Sequence, residues 1–290
     1  MSSPATSGGP HRCGVVALLG RPNAGKSSLL NAVLGEKVSI SAARAQTTRS
    51  QLLGVLTRHE VQILFHDTPG VNRGRARFNL ALTERALRSA EDADLRVILF
   101  EAGAEWEPVE ERLAELPGPT LLLRTKCDQG PPGPLPEPHR FVDVLEVSAR
   151  TRSGLEAFVE RVTACLPEGP ALYPEDFLTD APLRFLAAEQ IREVVFETYA
   201  DEIPYAVAVE VESWKETRGE LRVAANVLVE RDSQKAIVVG RGGQMLKKIG
   251  VESRKRIAEL CGLPVHLNLW VKTDRNWSKR PRRARQLGYL

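Results

Sequence analysis

One stretch near the start of the chain decides the fold: Gly20-Arg21-Pro22-Asn23-Ala24-Gly25-Lys26-Ser27. It matches the pattern G-x-x-x-x-G-K-[ST] and lies between an apolar run, Val15 to Leu19, and a helical pattern from Ser28 to Leu34. In such a loop the backbone N–H groups turn toward a phosphate, the lysine reaches phosphate oxygens and the serine hydroxyl coordinates Mg²⁺. The stretch therefore predicts a phosphate-binding loop between a strand and a helix, with Ser28 also beside the nucleotide.

Strand-like runs alternate with longer helical patterns through the first half of the chain. The runs are Val15 to Leu19, Val61 to Phe65, Val97 to Phe100, Thr120 to Leu123 and Val142 to Val147. This alternation is typical of a mostly parallel sheet with helices on both faces. We therefore expect an α/β fold in which the phosphate-binding loop follows the first strand.

Two motifs downstream predict the metal site and a sensor of the bound nucleotide. Asp67-Thr68-Pro69-Gly70 follows the second strand-like run, where its carboxylate can reach Mg²⁺ through water and the Gly70 N–H can face the γ-phosphate. Gln46-Thr47-Thr48-Arg49 precedes it, and we favour Thr48 over Thr47 as the hydroxyl that binds the metal when the γ-phosphate is present. A solvated loop is the alternative for both threonines. The predicted metal ligands are Ser27, Thr48 and, through water, Asp67, and the predicted catalytic residues are Lys26, Thr48, Asp67 and Gly70.

Two further motifs predict which base is bound. Thr125-Lys126-Cys127-Asp128 follows a strand-like run, and the Asp128 carboxylate can accept hydrogen bonds from guanine N1–H and the amino group, which adenine does not offer. Ser148-Ala149-Arg150 ends the next run and can present backbone N–H groups to guanine O6. The ligand predicted for the first half of the chain is therefore GTP or GDP, with Mg²⁺ as cofactor.

Val71 also belongs to the predicted nucleotide site. It follows Gly70 at the position where Ras-like enzymes carry a glutamine that orients the attacking water. Because that amide is missing, we expect slow intrinsic hydrolysis that a macromolecular partner accelerates. The alternative interpretation is that Val71 only packs in the core and has no catalytic meaning.

The second half of the chain has a different order of elements. The predicted elements are a helix from Leu183 to Tyr199, strands at Ala206 to Glu212 and Leu221 to Val229, a glycine-rich break at Gly240 to Gly243, a helix from Gln244 to Cys261 and a strand from Val265 to Val271. With the segment Ile237 to Ile249, this order resembles a type II KH domain, a smaller α+β module in which a GxxG loop joins two helices. We therefore expect two domains of different fold class.

The resemblance to a KH domain implies an RNA-binding surface around the glycine-rich break. Glycines allow the backbone to approach a nucleic-acid strand, and neighbouring cations neutralise phosphates. The predicted RNA-binding residues are Lys235, Gly240, Arg241, Gly242, Gly243, Lys247 and Lys248. A second dinucleotide fingerprint is the competing interpretation, but it would need a strand, turn and helix with a downstream acid, which this segment lacks.

Changes of composition predict the domain boundaries. The expected segments are a disordered tail at 1–12, a GTPase domain at 13–172, a linker at 173–182, a KH domain at 183–273 and a basic C-terminal tail at 274–290. The charges from Lys272 to Arg285 surround Trp277 and form either a solvated terminus or, as we favour, a contact with RNA phosphates.

The nucleotide motifs together resemble a translation-factor-class GTPase, and the chain from about Cys13 to Leu290 resembles the Era family of bacterial ribosome-assembly GTPases. The resemblance is carried by Gly20 to Ser27, Gln46 to Arg49, Asp67 to Gly70, Thr125 to Asp128 and Ser148 to Arg150. Family members usually have asparagine in place of Thr125, where it braces the phosphate-binding loop and touches the purine. This departure puts affinity, rather than base choice, in question.

The family resemblance also implies a role. It implies slow GTP hydrolysis and binding to the 3′ end of 16S rRNA during assembly of the 30S ribosomal subunit. Two alternatives stay open at this point: an RNA-binding protein whose nucleotide domain does not hydrolyse GTP, and a GTPase of tRNA modification.

Composition agrees with a globular protein of two domains. The chain has 290 residues, of which 42% are apolar and 27% charged, and its net charge is +3. No run approaches the ~20 apolar residues that span a bilayer, and four widely separated cysteines suit a reducing compartment. We therefore expect a cytoplasmic monomer, with peripheral association at the inner membrane left open.

Overall fold

The computed structural model describes residues 11–40, 51–71, 77–131, 133–135, 137–200 and 202–289. Two compact units divide the chain, the first formed mainly by residues up to Asp180 and the second mainly by residues from Ala181 onward. The switch motif Gln46 to Arg49, with Thr47 and Thr48, lies outside the described residues, as does the predicted tail up to residue 10. Each unit has its own sheet.

A mostly parallel sheet forms the centre of the first unit. Its strands are β1 (Arg12–Leu19), β2 (Leu52–Arg58), β3 (Val61–Asp67), β4 (Leu95–Glu101), β5 (Thr120–Thr125) and β6 (Asp143–Val147). The order is β2-β3-β1-β4-β5-β6 for the residues described, with β2 antiparallel to β3 and the other pairs parallel. The helices are α1 (Lys26–Leu34), α2 (Arg77–Glu91), α3 (Pro108–Ala114) and α4 (Leu155–Cys165). This arrangement confirms the predicted α/β fold.

Strand β2 is an element that the sequence pattern did not predict. It pairs with β3 along its whole length, from Leu52 opposite Asp67 to Arg58 opposite Val61. Gly54, in the middle of β2, lies so close to α1 that an added Cβ would come within 2.6 Å of Leu30 Cδ1. A glycine inside a short run weakens the strand pattern, but here it permits close packing of helix and sheet.

The parallel strands of the first unit bring their carboxyl ends to one edge of the sheet. Gly20 follows β1, Thr68 follows β3, Lys126 follows β5 and Ser148 follows β6. In open α/β sheets this edge is where ligands bind. The strand order therefore gathers the described nucleotide motifs in one place, although they are far apart in sequence.

The segment after α4 is bound along the edge of the first sheet. The buried Gln62 amide on β3 accepts hydrogen bonds from the N–H groups of Leu172 at 2.7 Å and Tyr173 at 2.9 Å, and donates to the Tyr173 carbonyl at 2.9 Å. Val55 N on β2 donates to the Leu178 carbonyl at 2.8 Å. The first part of the predicted linker is therefore an ordered strap, which we call the strap 172–178.

The second unit packs helices against a small sheet. Its elements are α5 (Leu183–Thr198), α6 (Ile203–Ala206), β7 (Ala208–Thr217), β8 (Glu220–Val229), α7 (Asp232–Val239), α8 (Gln244–Cys261), β9 (Val265–Thr273) and α9 (Pro281–Gln286). Strand β8 lies between β7, its antiparallel neighbour, and β9, its parallel neighbour. Val223 and Val227 of β8 are buried in one cluster with Ile191 of α5 and Ile249 of α8. No described helix is both long and apolar enough to cross a membrane.

The C-terminal segment is folded into the second unit, which corrects the alternative of a freely solvated terminus, while the favoured contact with RNA phosphates stays a prediction. Trp277 is completely buried, and its indole Nε1 donates to the Ala206 carbonyl at 2.9 Å. Arg283 binds the carboxylates of Asp274 at 2.7 Å and Glu210 at 2.8 Å. Part of the positive charge that suggested a phosphate contact is thus paired within the unit. Because Trp277 lies among cationic residues in the sequence, the sequence did not indicate that its side chain is buried.

We predict that Trp277→Ala lowers the free energy of unfolding of the second unit by about 3–5 kcal/mol, because it leaves a cavity in a packed site. Trp270→Ala is the matched control, since Trp270 on β9 is 48% exposed and its loss opens no comparable cavity. Urea unfolding followed by circular dichroism measures both variants. Equal stabilities would contradict the anchoring of the C-terminal segment.

Candidate nucleotide and nucleic-acid sites

The loop Gly20 to Ser27 joins β1 to α1 in the tight conformation that its glycines predict. Gly20 has φ 144° and Gly25 has φ 95°, backbone angles that residues with a side chain rarely adopt. An added Cβ on Gly20 would lie 2.6 Å from the Leu99 carbonyl oxygen of β4. Glycine therefore lets the loop close against the sheet, and the N-terminus of α1 lies directly behind it.

Lys26 begins α1 with its ammonium group inside the loop. Its Nζ donates to the carbonyl oxygens of Gly20 at 3.1 Å and Arg21 at 2.8 Å. Burial lowers the pKa of Lys26 to about 8, and the nearby Asp67 carboxylate opposes this shift. The desolvated cation is therefore placed to receive an anion, because phosphate oxygens would replace its lost hydration.

Ser27 and Asp67 supply the oxygen ligands of the predicted metal site. Ser27 Oγ donates to Asp67 Oδ2 at 2.7 Å, and both side chains are buried at the mouth of the loop. A hydroxyl and a carboxylate are the hard donors that Mg²⁺ prefers, with phosphate oxygens and waters completing its shell. These two residues fit the predicted cofactor, whereas Thr48 lies outside the described part of the chain.

The motif Asp67 to Gly70 is joined to the phosphate-binding loop through the backbone. Val71 N donates to the Gly20 carbonyl at 3.1 Å, and the Val71 side chain is buried in the core. An added Cβ on Gly70 would come within 2.6 Å of Pro22 N. The absence of a side chain at Gly70 thus permits direct contact between the two loops. The burial of Val71 agrees with the interpretation that this residue packs in the core.

Thr125 braces the phosphate-binding loop from the end of β5. Its Oγ1 donates to the Ala24 carbonyl at 2.7 Å, and the side chain is buried. An asparagine at this position would brace the loop and also touch the purine. The threonine hydroxyl makes the first of these contacts, so the departure from the family pattern keeps the brace.

Asp128 is held by the motif that follows β6. Its Oδ1 accepts a hydrogen bond from Ser148 Oγ at 2.5 Å, and its Oδ2 accepts one from Arg150 Nε at 2.8 Å. The bond from Ser148 is the main cause that lowers the pKa of Asp128, which keeps an ionised acceptor available for guanine. Sequence reasoning assigned backbone N–H groups to Ser148 and Arg150 and missed these two side-chain contacts.

The other residues predicted for this site surround the same edge of the sheet. Lys126 Nζ lies 2.8 Å from Glu101 Oε1, and Cys127 N donates to the Val147 carbonyl at 3.3 Å. Asn23 takes a left-handed conformation within the loop, with φ 69°. The Arg21 side chain points to an acidic pair at the N-terminus of α3, formed by the capping residue Glu107 and by Glu110, a contact without any local sequence signal.

A groove of about 380 Å³ runs between α8 and β9 in the second unit. Its lining is aliphatic at the centre and cationic at the rim, and includes Gly243, Leu246, Lys247, Gly250, Leu267 and Leu269. Such a surface suits single-stranded nucleic acid, whose bases contact the aliphatic residues while a phosphate reaches a cation. The predicted KH-type groove is therefore present as a physical feature.

The structure divides the predicted RNA-binding residues into three groups. Gly243 and Lys247 line the groove, whereas Gly240, Arg241 and Gly242 form the loop that leads into it. Gly240 has φ 70°, and an added Cβ would come within 2.5 Å of Met245 Cγ, so the loop requires glycine there. Lys235 on α7 and Lys248 on α8 are exposed but lie outside the residues that line the groove.

We predict that Thr125→Val weakens GDP binding by about fivefold to tenfold, because the Ala24 carbonyl loses its buried donor and the loop loses a brace. Thr125→Ser retains the hydroxyl and is the control, which should bind GDP as the original chain does. Calorimetric titration in the presence of Mg²⁺ measures both. A valine variant with unchanged affinity would rule out the bracing role.

Two family models match the chain, one for each unit. A model described as a 50S ribosome-binding GTPase matches residues 15–126, and a KH domain model matches residues 202–278. These matches confirm the predicted order of a P-loop GTPase domain followed by a KH domain.

Solved structures resemble the whole chain. An Era protein crystallised with MgGDPNP and nucleotides 1506–1542 of 16S ribosomal RNA is 35% identical, with a TM-score of 0.91 over 97% of this chain and 99% of that one. An Aquifex aeolicus Era variant bound to GDP and AlF4⁻ is 34% identical, with a TM-score of 0.89 over 96% and 99%. The predictions of GTPase activity and of Mg²⁺ as cofactor are thereby confirmed.

Relatives of similar length align with this chain over nearly their full length. The GTPase Era of Geobacter metallireducens is 42% identical over 296 residues, which cover 98% of this chain and 99% of the relative. The GTPase Era of Lacticaseibacillus paracasei is 40% identical over 291 residues, with 96% and 97% covered. Because the identity extends through both units, the chain belongs to the Era family of GTPases.

Proposed function

We propose that this GTPase assists assembly of the 30S ribosomal subunit by binding the 3′ end of 16S rRNA. The observation that carries the proposal is the presence, on one chain, of the phosphate-binding loop and the groove between α8 and β9. The similar Era protein that was crystallised with MgGDPNP and nucleotides 1506–1542 of 16S rRNA has the same two-part architecture.

In this proposal the first unit binds and orients the triphosphate. The backbone N–H groups of the loop surround the β-phosphate, and Lys26 contacts the β and γ oxygens. Ser27 and, through water, Asp67 hold Mg²⁺, which when bound neutralises phosphate charge. Gly70 N–H faces the γ-phosphate, and Thr48 adds its hydroxyl when that phosphate is present.

Slow hydrolysis follows from the residue after Gly70. The Val71 side chain is buried and has no group that can orient water, and its backbone N–H is already bonded to the Gly20 carbonyl. The chain therefore relies on another group or on its ribosomal partner to position the attacking water. We propose that the intrinsic rate is low and that assembly intermediates raise it.

The second unit supplies the RNA contact. Bases of a single strand would lie on the aliphatic residues Leu246, Leu267 and Leu269, and a phosphate would reach Lys247. Arg241 is exposed on the adjoining loop and offers a further cation. Because these contacts include phosphates, the affinity should fall as salt rises.

We propose that the nucleotide state controls RNA binding. Strand β2 begins just after the switch motif Gln46 to Arg49, and β3 ends at Asp67. Both strands are hydrogen-bonded to the strap 172–178, which precedes the second unit in sequence. A conformational change in the switch motif would reach the strap 172–178 through β2 and its hydrogen bond from Val55. A change at Asp67 would reach the strap through β3 and the hydrogen bonds of Gln62.

The proposal also includes the setting of the protein. We propose that it works as a monomer in the cytoplasm and reaches the inner membrane only as a peripheral protein. Of the alternatives raised by the sequence, a tRNA-modification GTPase is disfavoured because relatives that match over nearly their full length are Era proteins.

We predict that RNA with the sequence of 16S nucleotides 1506–1542 binds the GDPNP-loaded chain about 5–150-fold more tightly than the GDP-loaded chain, the range of a typical coupling between two sites. Fluorescence anisotropy with labelled RNA measures the two affinities. Equal affinities would remove the coupling, and absence of binding in both states would refute the RNA role.

Lys247→Ala should weaken this RNA binding and reduce the slope of log affinity against log salt by about one, because one phosphate contact is lost. Lys255→Ala on the same helix is the matched control, since Lys255 is exposed and lies outside the groove lining. Equal losses in the two variants would argue against the groove as the RNA site.

A further inference from the structure

The side chain of Arg21 extends from the phosphate-binding loop to an acidic pair at the N-terminus of α3, formed by the capping residue Glu107 and by Glu110. Its Nη1 lies 2.8 Å from Glu107 Oε1, and its Nε lies 2.5 Å from Glu110 Oε1. Its Nη2 also donates to the Glu105 carbonyl at 3.1 Å. The guanidinium fork is therefore fixed in position by three acceptors, which suits arginine better than lysine.

Glu110 is the buried member of this pair. Its side chain is only 1% exposed, and its Oε2 accepts a hydrogen bond from Glu107 N in the capping box of α3. Burial raises the pKa of Glu110, while Arg21 is the main influence that lowers it. A buried carboxylate of this kind needs its cation, because removal of Arg21 would leave the Glu110 charge buried without its counter-ion.

Helix α3 is in turn held from its other side. Glu111 accepts a hydrogen bond from Trp106 Nε1 at 2.9 Å and forms an ion pair with Arg140. Trp106 packs between the rings of Phe100 and Phe141, with centroids 5.2 and 6.1 Å away. The acidic pair thus belongs to a helix that is fixed to the sheet.

The position of Arg21 determines where the charged group of the loop lies. The Arg21 carbonyl accepts the 2.8 Å hydrogen bond from Lys26 Nζ, so the backbone anchored by the guanidinium is the backbone that orients the ammonium. The next residue, Pro22, is the one that leaves no room for a side chain at Gly70. A displacement of Arg21 would therefore shift the Lys26 ammonium group and also the contact between the phosphate-binding loop and Gly70.

We propose that Glu110 is a positioning residue for nucleotide binding, which acts through Arg21 to hold the loop carbonyls that orient Lys26. Its described contacts are with Arg21 and with the backbone N–H of Glu107. This role lies within the GTPase site and is independent of which RNA the second unit binds.

Glu110→Gln should weaken GDP and GTP binding by about tenfold, the usual lower range for loss of a partner that orients a binding group. The value of kcat at saturating GTP should stay within about twofold, because Lys26 keeps its charge and bound phosphate oxygens would then hold it in place, so the loss falls on binding. Steady-state hydrolysis and titration of a fluorescent GDP analogue measure the split between KM and kcat. Glu115→Gln, at an exposed carboxylate that follows the same helix, is the matched control and should behave as the original chain.

A double-mutant cycle separates positioning from a general loss of stability. If Glu110 acts through Arg21, then Arg21→Ala and Glu110→Gln should not add, and the double variant should bind GDP no more weakly than the worse single variant. Additive losses, or a folded Glu110→Gln variant with unchanged GDP affinity, would overturn the proposal. Should Glu110→Gln fail to fold, Arg21→Lys tests the same link: GDP affinity should still fall, and an unchanged affinity would refute it.

Discussion

The desolvated ammonium group of Lys26 is the feature on which the rest of the nucleotide site depends. A buried cation is costly unless it is hydrogen-bonded and paired. Here the carbonyls of Gly20 and Arg21 and the carboxylate of Asp67 offset that cost in part. A bound phosphate would complete the compensation, so relief of the desolvation cost of Lys26 would contribute to the affinity for nucleotide.

The loop keeps this charge in place because neighbouring elements brace it at Gly20, Arg21 and Ala24. Val71 N holds the Gly20 carbonyl, Glu110 and Glu107 hold Arg21, and Thr125 holds the Ala24 carbonyl. Val71 lies after β3, and Glu107 and Glu110 lie after β4, whereas Thr125 is the last residue of β5. The order of strands in the sheet is what makes these sequence-distant contacts meet.

Local sequence patterns predicted the parts of this structure that obey a local rule. The phosphate-binding loop needs glycine at fixed spacing, and α8 was predicted at its observed bounds, Gln244–Cys261, because its apolar face repeats regularly. Strand β2 was missed because Gly54 interrupts its pattern for a tertiary reason. The pairing of Arg21 with Glu107 joins residues 86 positions apart. Trp277 is buried although its sequence neighbours are charged, so its burial has no local sequence signal. Such contacts exist only once the chain has folded.

The claim that this loop and Asp128 form a guanine-nucleotide site is tested most directly by competition between GDP and ADP in the presence of Mg²⁺. Both nucleotides offer the same phosphates to Lys26 and Ser27, so only the base distinguishes them. The account predicts that ADP binds more than about a hundredfold more weakly, because adenine lacks the N1–H and amino donors that guanine offers to the Asp128 carboxylate. Comparable affinities for the two nucleotides would contradict it.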